Sequence, residues 1–348
     1  MSLSDCQNLL DQDVLELGFS HWGMQKLERP VSFEHYQAWL DKDYHGEMKY
    51  LEAHAQLKEY PTQLRKNAKS SFVFAFPYVN SIPGRDSFPL KKARVALYAQ
   101  GFDYHFSLKE KLKQIIKKLQ TNYPQEDFLP ITDSFPVMER DLASRAGLGW
   151  FGKNTCLIHP KKGSLFLLCE IITSLDLKNT TEPLPDFCGT CTKCMEICPT
   201  QALESPRVLN ATKCISYWTI ESRKIPPVNL REKFGDWLFG CDLCQTVCPW
   251  NQKIYKNLLQ TENFVPHKLE DDAQLENELI FLLTASGKKI SQWSKGTPLS
   301  RAGSFGLRRN ALIVVANKKI KSLKVYVENL TQDEKLSELA LWTLSRLG

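Results

Sequence analysis

Apolar and polar positions divide the chain into three stretches. In the first, to about Leu177, two short apolar runs stand out: Ser71-Phe72-Val73-Phe74-Ala75-Phe76, ended by Pro77, and Leu165-Phe166-Leu167-Leu168-Cys169-Glu170-Ile171-Ile172. Their length and lack of a helical period predict buried strands. Between them Leu108, Leu112, Ile115 and Leu119 recur at helical spacing behind a Ser107–Glu110 capping box. That pattern predicts a helix with Lys109, Lys111, Lys113 and Lys117 turned to solvent. A short strand is predicted over 128–132, ending at Asp133. The second stretch, from about Lys178 to Lys256, has little regular period and is rich in cysteine and proline. Small domains look like this when a metal replaces much of the hydrophobic core. From about Leu269 to Gly348 the pattern is helical again. Leu307, Ala311, Leu312 and Val315 mark one amphipathic helix; Leu336, Leu339, Thr343 and Leu347, opened by a Thr331–Glu334 capping box, mark another. Such helices resemble a short helical repeat pair.

The chain has 348 residues, 43% hydrophobic and 24% charged, enough for two or three packed domains and not the composition of a disordered chain. No run approaches the roughly 20 apolar residues of a bilayer helix. Asp5, Asp11 and Asp13 near the start, with no basic leader, predict no export signal and a cytoplasmic protein. There are 11 cysteines, an odd count that in this setting argues against a disulfide framework.

Cysteine spacing carries the chemistry. Cys188-x2-Cys191-x2-Cys194-x3-Cys198-Pro199 is the ferredoxin spacing for a [4Fe–4S] cluster, whose fourth cysteine serves a second cluster. Cys241-x2-Cys244-x3-Cys248-Pro249 repeats its tail. The remaining position of a full run would be Leu238, which cannot ligate, and Cys214 is the natural substitute. Crossing over assigns Cys188, Cys191, Cys194 and Cys248 to one cluster and Cys198, Cys214, Cys241 and Cys244 to the other. Zinc closes with four ligands and does not require this spacing. Cys6, Cys156 and Cys169 lack metal spacing, and Cys169 is expected in the core. Two neighbouring clusters mean one-electron transfer to or from another redox centre.

No glycine-rich dinucleotide fingerprint accompanies them. Asp133 follows a predicted strand and precedes a proline turn, where a carboxyl beside aromatic residues is expected to have a raised pKa and to donate a proton. The competing reading is an aspartate that only accepts turn hydrogen bonds. Gly147, Gly149 and Gly152 either let the backbone approach a flat ligand or make turns. Net charge is +6, yet 285–324 holds ten basic residues (Lys288, Lys289, Lys295, Arg301, Arg308, Arg309, Lys318, Lys319, Lys321 and Lys324) and no acidic one. One cationic segment on an otherwise slightly acidic chain is the footprint of a phosphate backbone, against the alternative of an ordinary solvated helical surface. Arg308 and Arg309 beside Ser304-Phe305-Gly306 favour RNA, because arginine also stacks on bases.

His45-Gly46-Glu47-Met48-x-Tyr50-Leu51, Asp133-Ser134-x-Pro136-Val137-x-Glu139-Arg140, Ala146-Gly147-Leu148-Gly149-Trp150-x-Gly152-Lys153-Asn154, Cys214-Ile215-Ser216-Tyr217-x-Thr219-Ile220-Glu221, Gly240-Cys241-Asp242 with Pro249-Trp250-Asn251, and Arg308-Arg309-Asn310-Ala311-Leu312 together resemble the epoxyqueuosine reductases of tRNA modification. The resemblance covers nearly the whole chain. It implies an α/β plus α architecture: a nitroreductase-like cobalamin domain (1–177), a two-cluster ferredoxin-like domain (178–256) and a C-terminal HEAT-like helical repeat that meets tRNA (269–348). It implies removal of the epoxide oxygen of epoxyqueuosine at the wobble position, as water, with two electrons, the last step of queuosine biosynthesis. Asp133 matches the proton donor over the cobalt face. Lys153, Asn154, Leu157, Ser216, Cys241 and Asp242 match positions near the corrin, and Arg223 and Lys224, with Arg308 and Arg309, are expected on the tRNA anticodon stem-loop. The chain lacks a D-x-H-x-x-G segment, Leu108 standing at the glycine position after Asp103 and His105. The resemblance therefore implies a base-off cobalamin with no protein ligand to cobalt, and a His105 that is a core or outer residue. An external low-potential electron donor, no membrane partner and a monomer are expected. The alternatives are a reductive dehalogenase-like enzyme acting on a small molecule, which would need no basic segment, and a ferredoxin-type carrier, which would not need about 170 residues ahead of its clusters.

Overall fold

The computed structural model describes residues 3–78, 84, 87–177, 182–258 and 272–348. The boundaries expected at 178 and 269 lie outside the described residues.

Four strands form an antiparallel sheet in the order His21–Lys26, Ser70–Pro77, Phe166–Thr173, Phe128–Thr132. The two long inner strands are the two apolar runs, each displaced from expectation by a residue or so. Their continuous hydrophobicity has a plain cause: the sheet is covered on both faces. Phe72, Phe74, Phe76, Cys169 and Ile171 pack on Leu10 and Val14 of helix Leu3–Glu16 and on Leu108, Leu112, Ile115 and Leu119. Val73, Ala75, Ile131 and Ile172 pack on Leu142, Ala143 and Ala146 of helix Glu139–Arg145.

The lysine-rich helix runs Tyr104–Asn122 and starts a turn before the expected capping box. Asp103 is its N-cap, accepting from the His105 backbone N–H at 3.0 Å, whereas Ser107 sits inside the first turn and donates to the Tyr104 carbonyl. Lys113 and Lys117 face solvent as expected. Lys111 does not: it donates to the Leu17 carbonyl at 2.6 Å and lies over the Phe76 ring.

The C-terminal segment is helical, with one departure. Helix Gly303–Lys318 is buried almost all round rather than amphipathic, because Asp272–Thr284, Gly287–Ser294 and Ser337–Leu347 pack about it. Thr331 closes a short 3₁₀ turn, Asn329–Gln332; Asp333, not Thr331, accepts from the Lys335 and Leu336 N–H groups ahead of the last helix. The largest core runs through 88–99, 211–239 and 275–347, so it crosses the expected sequence boundaries. Among the described residues no helix is long and apolar enough to cross a membrane.

Candidate active site

Asp133 stands where the strand Phe128–Thr132 leaves the sheet, and the N-terminal turn of helix Tyr104–Asn122 meets it there. One carboxylate oxygen pairs with His105 Nε2 and the other accepts from the Tyr104 hydroxyl. On its far side His105 Nδ1 pairs with Asp103 Oδ1 at 2.6 Å. An imidazole between two carboxylates holds its proton tightly. Burial opposes the charge, yet the hydrogen bonds to Asp103 and Asp133 prevail, and His105 is raised to about 9. Burial works to raise Asp133, but the His105 hydrogen bond and charge, with the Tyr104 hydroxyl, outweigh it and hold the carboxyl below its ordinary range. This corrects the expected raised pKa: near neutrality the couple's proton resides on His105 rather than on Asp133. His105 stands behind Asp133, half-buried, in an outer position between the two carboxylates. The Asp103-x-His105 pair at a helix start was the available signal.

Tyr98 links this carboxylate to the cysteine-rich region. Its ring contacts Tyr104, and its hydroxyl lies within electrostatic reach of both Asp242 and Asp133, with Glu221 and Arg301. Tyr78, Leu97 and Leu165 form a small buried cluster alongside, with Tyr98 and Tyr255 packed against it. Asp242 is 3% exposed, accepts the Leu97 N–H at 2.6 Å and is pushed up to about 6 by burial. Among the described residues the enclosed Tyr255 hydroxyl has no hydrogen-bond partner. An aromatic cluster with an unused enclosed hydroxyl offers apolar surface and a donor to a large ring edged with amides, so the residues present fit a corrinoid.

The ten described cysteines are free thiols. Electrostatic contact sorts eight of them into two sets. Cys194 is influenced by Cys188, Cys248 and Cys191, and Cys248 by Cys188 and Cys191. Cys214 is influenced by Cys198; Cys241 by Cys214 and Cys198; Cys244 by Cys214 and Cys241. These influences run among Cys188, Cys191, Cys194 and Cys248 and among Cys198, Cys214, Cys241 and Cys244. Each set already receives N–H donors: Trp150 Nε1 reaches Cys188 Sγ at 3.5 Å, and the Ala202 N–H reaches Cys198 Sγ at 3.3 Å. Such donors stabilise sulfur-bound negative charge, so the sites fit thiolate-ligated clusters. No three His, Cys, Asp or Glu side chains among the described residues close on a point as a single ion requires. Cys169 is buried in its strand as expected; Cys156 lies near Cys248, Cys194 and Cys244, between the two sets.

The residues expected near a corrin divide. Asp242 joins Leu97 and Tyr98, and Cys241 next to it packs against the largest core. Lys153 instead donates to the Gly189 and Cys191 carbonyls at 2.6 and 3.0 Å, and Asn154 to the Cys244 carbonyl at 3.0 Å, so these side chains tie the cysteine loops to the first domain. Leu157 is in the core, and Ser216 offers its backbone N–H to Cys214. Gly149 and Gly152 serve packing: a Cβ at Gly149 would lie 2.6 Å from the Ile158 carbonyl, and one at Gly152 would lie 2.4 Å from the Ile158 side chain. Glu47 of the His45-Gly46-Glu47 motif accepts from Ser222 Oγ at 2.5 Å and the Arg223 N–H at 3.1 Å.

Two expected RNA contacts are corrected. Arg309 is 1% exposed and donates to the Ser222 and Lys224 carbonyls, both at 2.8 Å, and to that of Trp218. Arg308 donates to the Leu282 and Ala285 carbonyls. Both guanidiniums hold protein backbone, because the helix carrying them is central rather than peripheral. Arg223 is exposed, with its guanidinium on the Ile220, Ala302 and Arg301 carbonyls. Lys224 lines a cavity of about 490 Å³ with Lys49 and Tyr217. Lys288, Lys289, Lys295, Lys319, Lys321 and Lys324 are exposed. The turn after Lys295 reaches the proton couple itself, the Asp103 N–H donating to the Gly296 carbonyl at 2.7 Å.

Comparison with known proteins adds three findings. A family described as "Epoxyqueuosine reductase QueG, DUF1730" matches residues 58–134, and a "4Fe-4S double cluster binding domain" matches 187–251. The epoxyqueuosine reductase of Escherichia coli (strain K12) is 35% identical over 322 residues, 91% of this chain and 82% of that protein; that of Cyclobacterium marinum is 39% identical over 307 residues, 87% and 94%. A crystal structure of epoxyqueuosine reductase with a tRNA-Tyr epoxyqueuosine-modified stem loop superposes with a TM-score of 0.81 at 26% identity, covering 99% of this chain and 90% of that one.

Proposed function

We propose that this chain, which belongs to the epoxyqueuosine reductase family, reduces epoxyqueuosine to queuosine at the wobble position of tRNA in the cytoplasm. The observation that carries the reading is the Asp133–His105–Tyr104 couple, which Tyr98 joins electrostatically to Asp242 beside Cys241. A proton source thus lies near a predicted electron source.

In this reading Cys188, Cys191, Cys194 and Cys248 hold one [4Fe–4S] cluster, and Cys198, Cys214, Cys241 and Cys244 hold the other. Low-potential clusters of this type lie near about −400 mV in ferredoxins and are refilled by an external low-potential donor. Tyr98, Leu97 and Asp242 are the residues that would hold a base-off cobalamin, which would supply a strongly nucleophilic reduced metal. Everything else falls to side chains. Asp133 passes the His105 proton to the epoxide oxygen, Tyr104 fixes the carboxylate's orientation, and Asp103 fixes the imidazole's. Asp242 and Cys241 border the corrin in this reading, beside the Lys153–Leu157 and Ser216 segments. A single-stranded anticodon loop splays a base into an active site at a cost of a few kcal/mol. Lys224, Arg223, Lys49 and Lys295, all exposed, are the cations read as meeting its phosphates. The first domain is read as nitroreductase-like and the C-terminal helices as a HEAT-like repeat, in a monomer.

The test is anaerobic reconstitution with iron, sulfide, cobalamin and a strong reductant, then turnover of tRNA containing epoxyqueuosine, followed by nucleoside mass spectrometry. Appearance of queuosine supports the reading; an unchanged epoxide with fully loaded protein overturns it. Asp133→Asn is expected to bind the stem-loop normally and to lose turnover by about 100-fold or more, the usual worth of a positioned acid.

A further inference from the structure

Resting on that function, we propose that the carboxyl pair Glu139 and Glu170 stores the second proton of the deoxygenation and returns it to Asp133.

The chemistry sets the demand. Converting an epoxide to an alkene breaks both C–O bonds, forms C=C and releases the oxygen as water. It consumes two electrons, supplied through the clusters from the external donor, and two protons. The Asp133–His105 couple carries one.

Glu170 lies in the strand Phe166–Thr173 between its cross-strand neighbours Val73 and Ile131. It is fully buried, and neither carboxyl oxygen has a hydrogen-bond partner among the described residues. Helix Glu139–Arg145 covers that face of the sheet, and its first residue brings Glu139 Oε1, also enclosed and unpartnered. Asp133 lies in the turn just past the strand that carries Ile131, and its charge reaches both glutamates. Every charged group around the pair is accounted for. Lys58 Nζ donates to the Val137 carbonyl at 2.9 Å; Arg140 turns to the Thr155 carbonyl; His105 faces Asp133; the Cys169 thiol lies on the opposite face. With Asp133 balanced by His105, one ammonium faces two carboxylates in an enclosed space, so the pair retains a proton. Burial and then mutual charge push Glu139 up to about 8 and Glu170 well above the ordinary range.

The hand-over follows from the same electrostatics. While His105 is charged, Asp133 stays ionised. Once the His105 proton has gone through Asp133 to the first C–O cleavage, the cation that held Asp133 down is neutral, and burial raises its proton affinity. The stored proton then moves from the pair to Asp133 and on to the departing oxygen. Solvent recharges both stores after release. Glu139 and Glu170 act through Asp133 and are positioning residues.

Infrared spectra of the cofactor-free wild-type protein carrying ¹³C-labelled glutamate read the store directly. A neutral glutamic acid carbonyl band at pH 7, lost in Glu139→Gln or Glu170→Gln, is expected; absence of that band in the wild type overturns the proposal whatever the variants do. In the loaded enzyme each variant is expected to lower kcat about 10–100-fold with KM for the stem-loop unchanged, and to enlarge the solvent isotope effect. Wild-type kcat from pH 6 to 9 in both variants overturns the store while leaving the proposed function intact. Failure of the wild type itself to produce queuosine overturns the function instead. If Glu170→Gln does not fold, Glu139→Gln at the helix start and the wild-type spectrum still decide.

Discussion

Replacing Arg309 by Met separates a structural arginine from an RNA-binding one. The guanidinium caps the carbonyls of Trp218, Ser222 and Lys224 and touches Asn310 Oδ1 at 3.0 Å, while burial pushes its own pKa down to about 10. Methionine matches much of the stem but donates nothing. Three backbone acceptors lose a charged donor, at about 1–2 kcal/mol each. Relief from burying an ion returns part of that sum, leaving a net loss of about 3 kcal/mol. Urea unfolding followed by tryptophan fluorescence measures the total, and hydrogen exchange should show the loss at helix Ile215–Ile220 and at 222–224. Arg309→Lys keeps the charge without the fork and is expected to recover less than half. Stem-loop affinity should fall only in step with the unfolded fraction. A variant as stable as the wild type that binds the stem-loop tenfold more weakly, with lysine restoring affinity, would refute the structural assignment and return Arg309 to the RNA surface.

Three further outcomes are expected. His105 is raised from 6.5 to about 9, so its contribution to stability is fully present below about pH 6.5 and is lost as pH rises through about 9. At full value that is about 3 kcal/mol, and about 1–2 after allowing for the solvent that reaches both partners. Turnover should fall over the same limb, and His105→Gln should abolish the limb in both denaturation and pH–rate profiles. Cys214→Ser should lower bound iron from about eight to about four atoms per chain, one of two four-iron clusters being lost. Cys156→Ser should leave the iron count unchanged, as colorimetric iron and electron paramagnetic resonance would report. Neutralising Lys288, Lys289 and Lys295 together should weaken stem-loop binding and flatten its log–log salt dependence by up to about 0.7 for each phosphate left without its cation; an unaltered slope would place the RNA elsewhere.

What was legible in the sequence was what is local. Three cysteines two residues apart meet because the chain between them is too short to do otherwise, and Ser71–Phe76 had to be a strand covered twice because it offers no polar face. Arg308 and Arg309 misled because a cationic segment says nothing about which of its members face inward; that depends on three helices up to about 40 residues away. Asp133 was visible as a candidate, but the direction of its proton affinity was not. His105 and Tyr104 come to it from 28 and 29 residues earlier, and only the packing of the long helix on the sheet joins them. Glu170 was in plain view as the one charge in an apolar run. Its meaning required Glu139 from another element.

The core that crosses from 88–99 through 211–239 to 275–347 has a consequence for inheritance. A gene fusion or deletion could not trade the far helices while keeping the cysteine-bearing half intact, because Asn310 in one ties down the Thr219 and Leu238 carbonyls in the other at 2.8 Å each. Damage would travel the same way: whatever unsettles the cysteine loops would loosen the far helices with them.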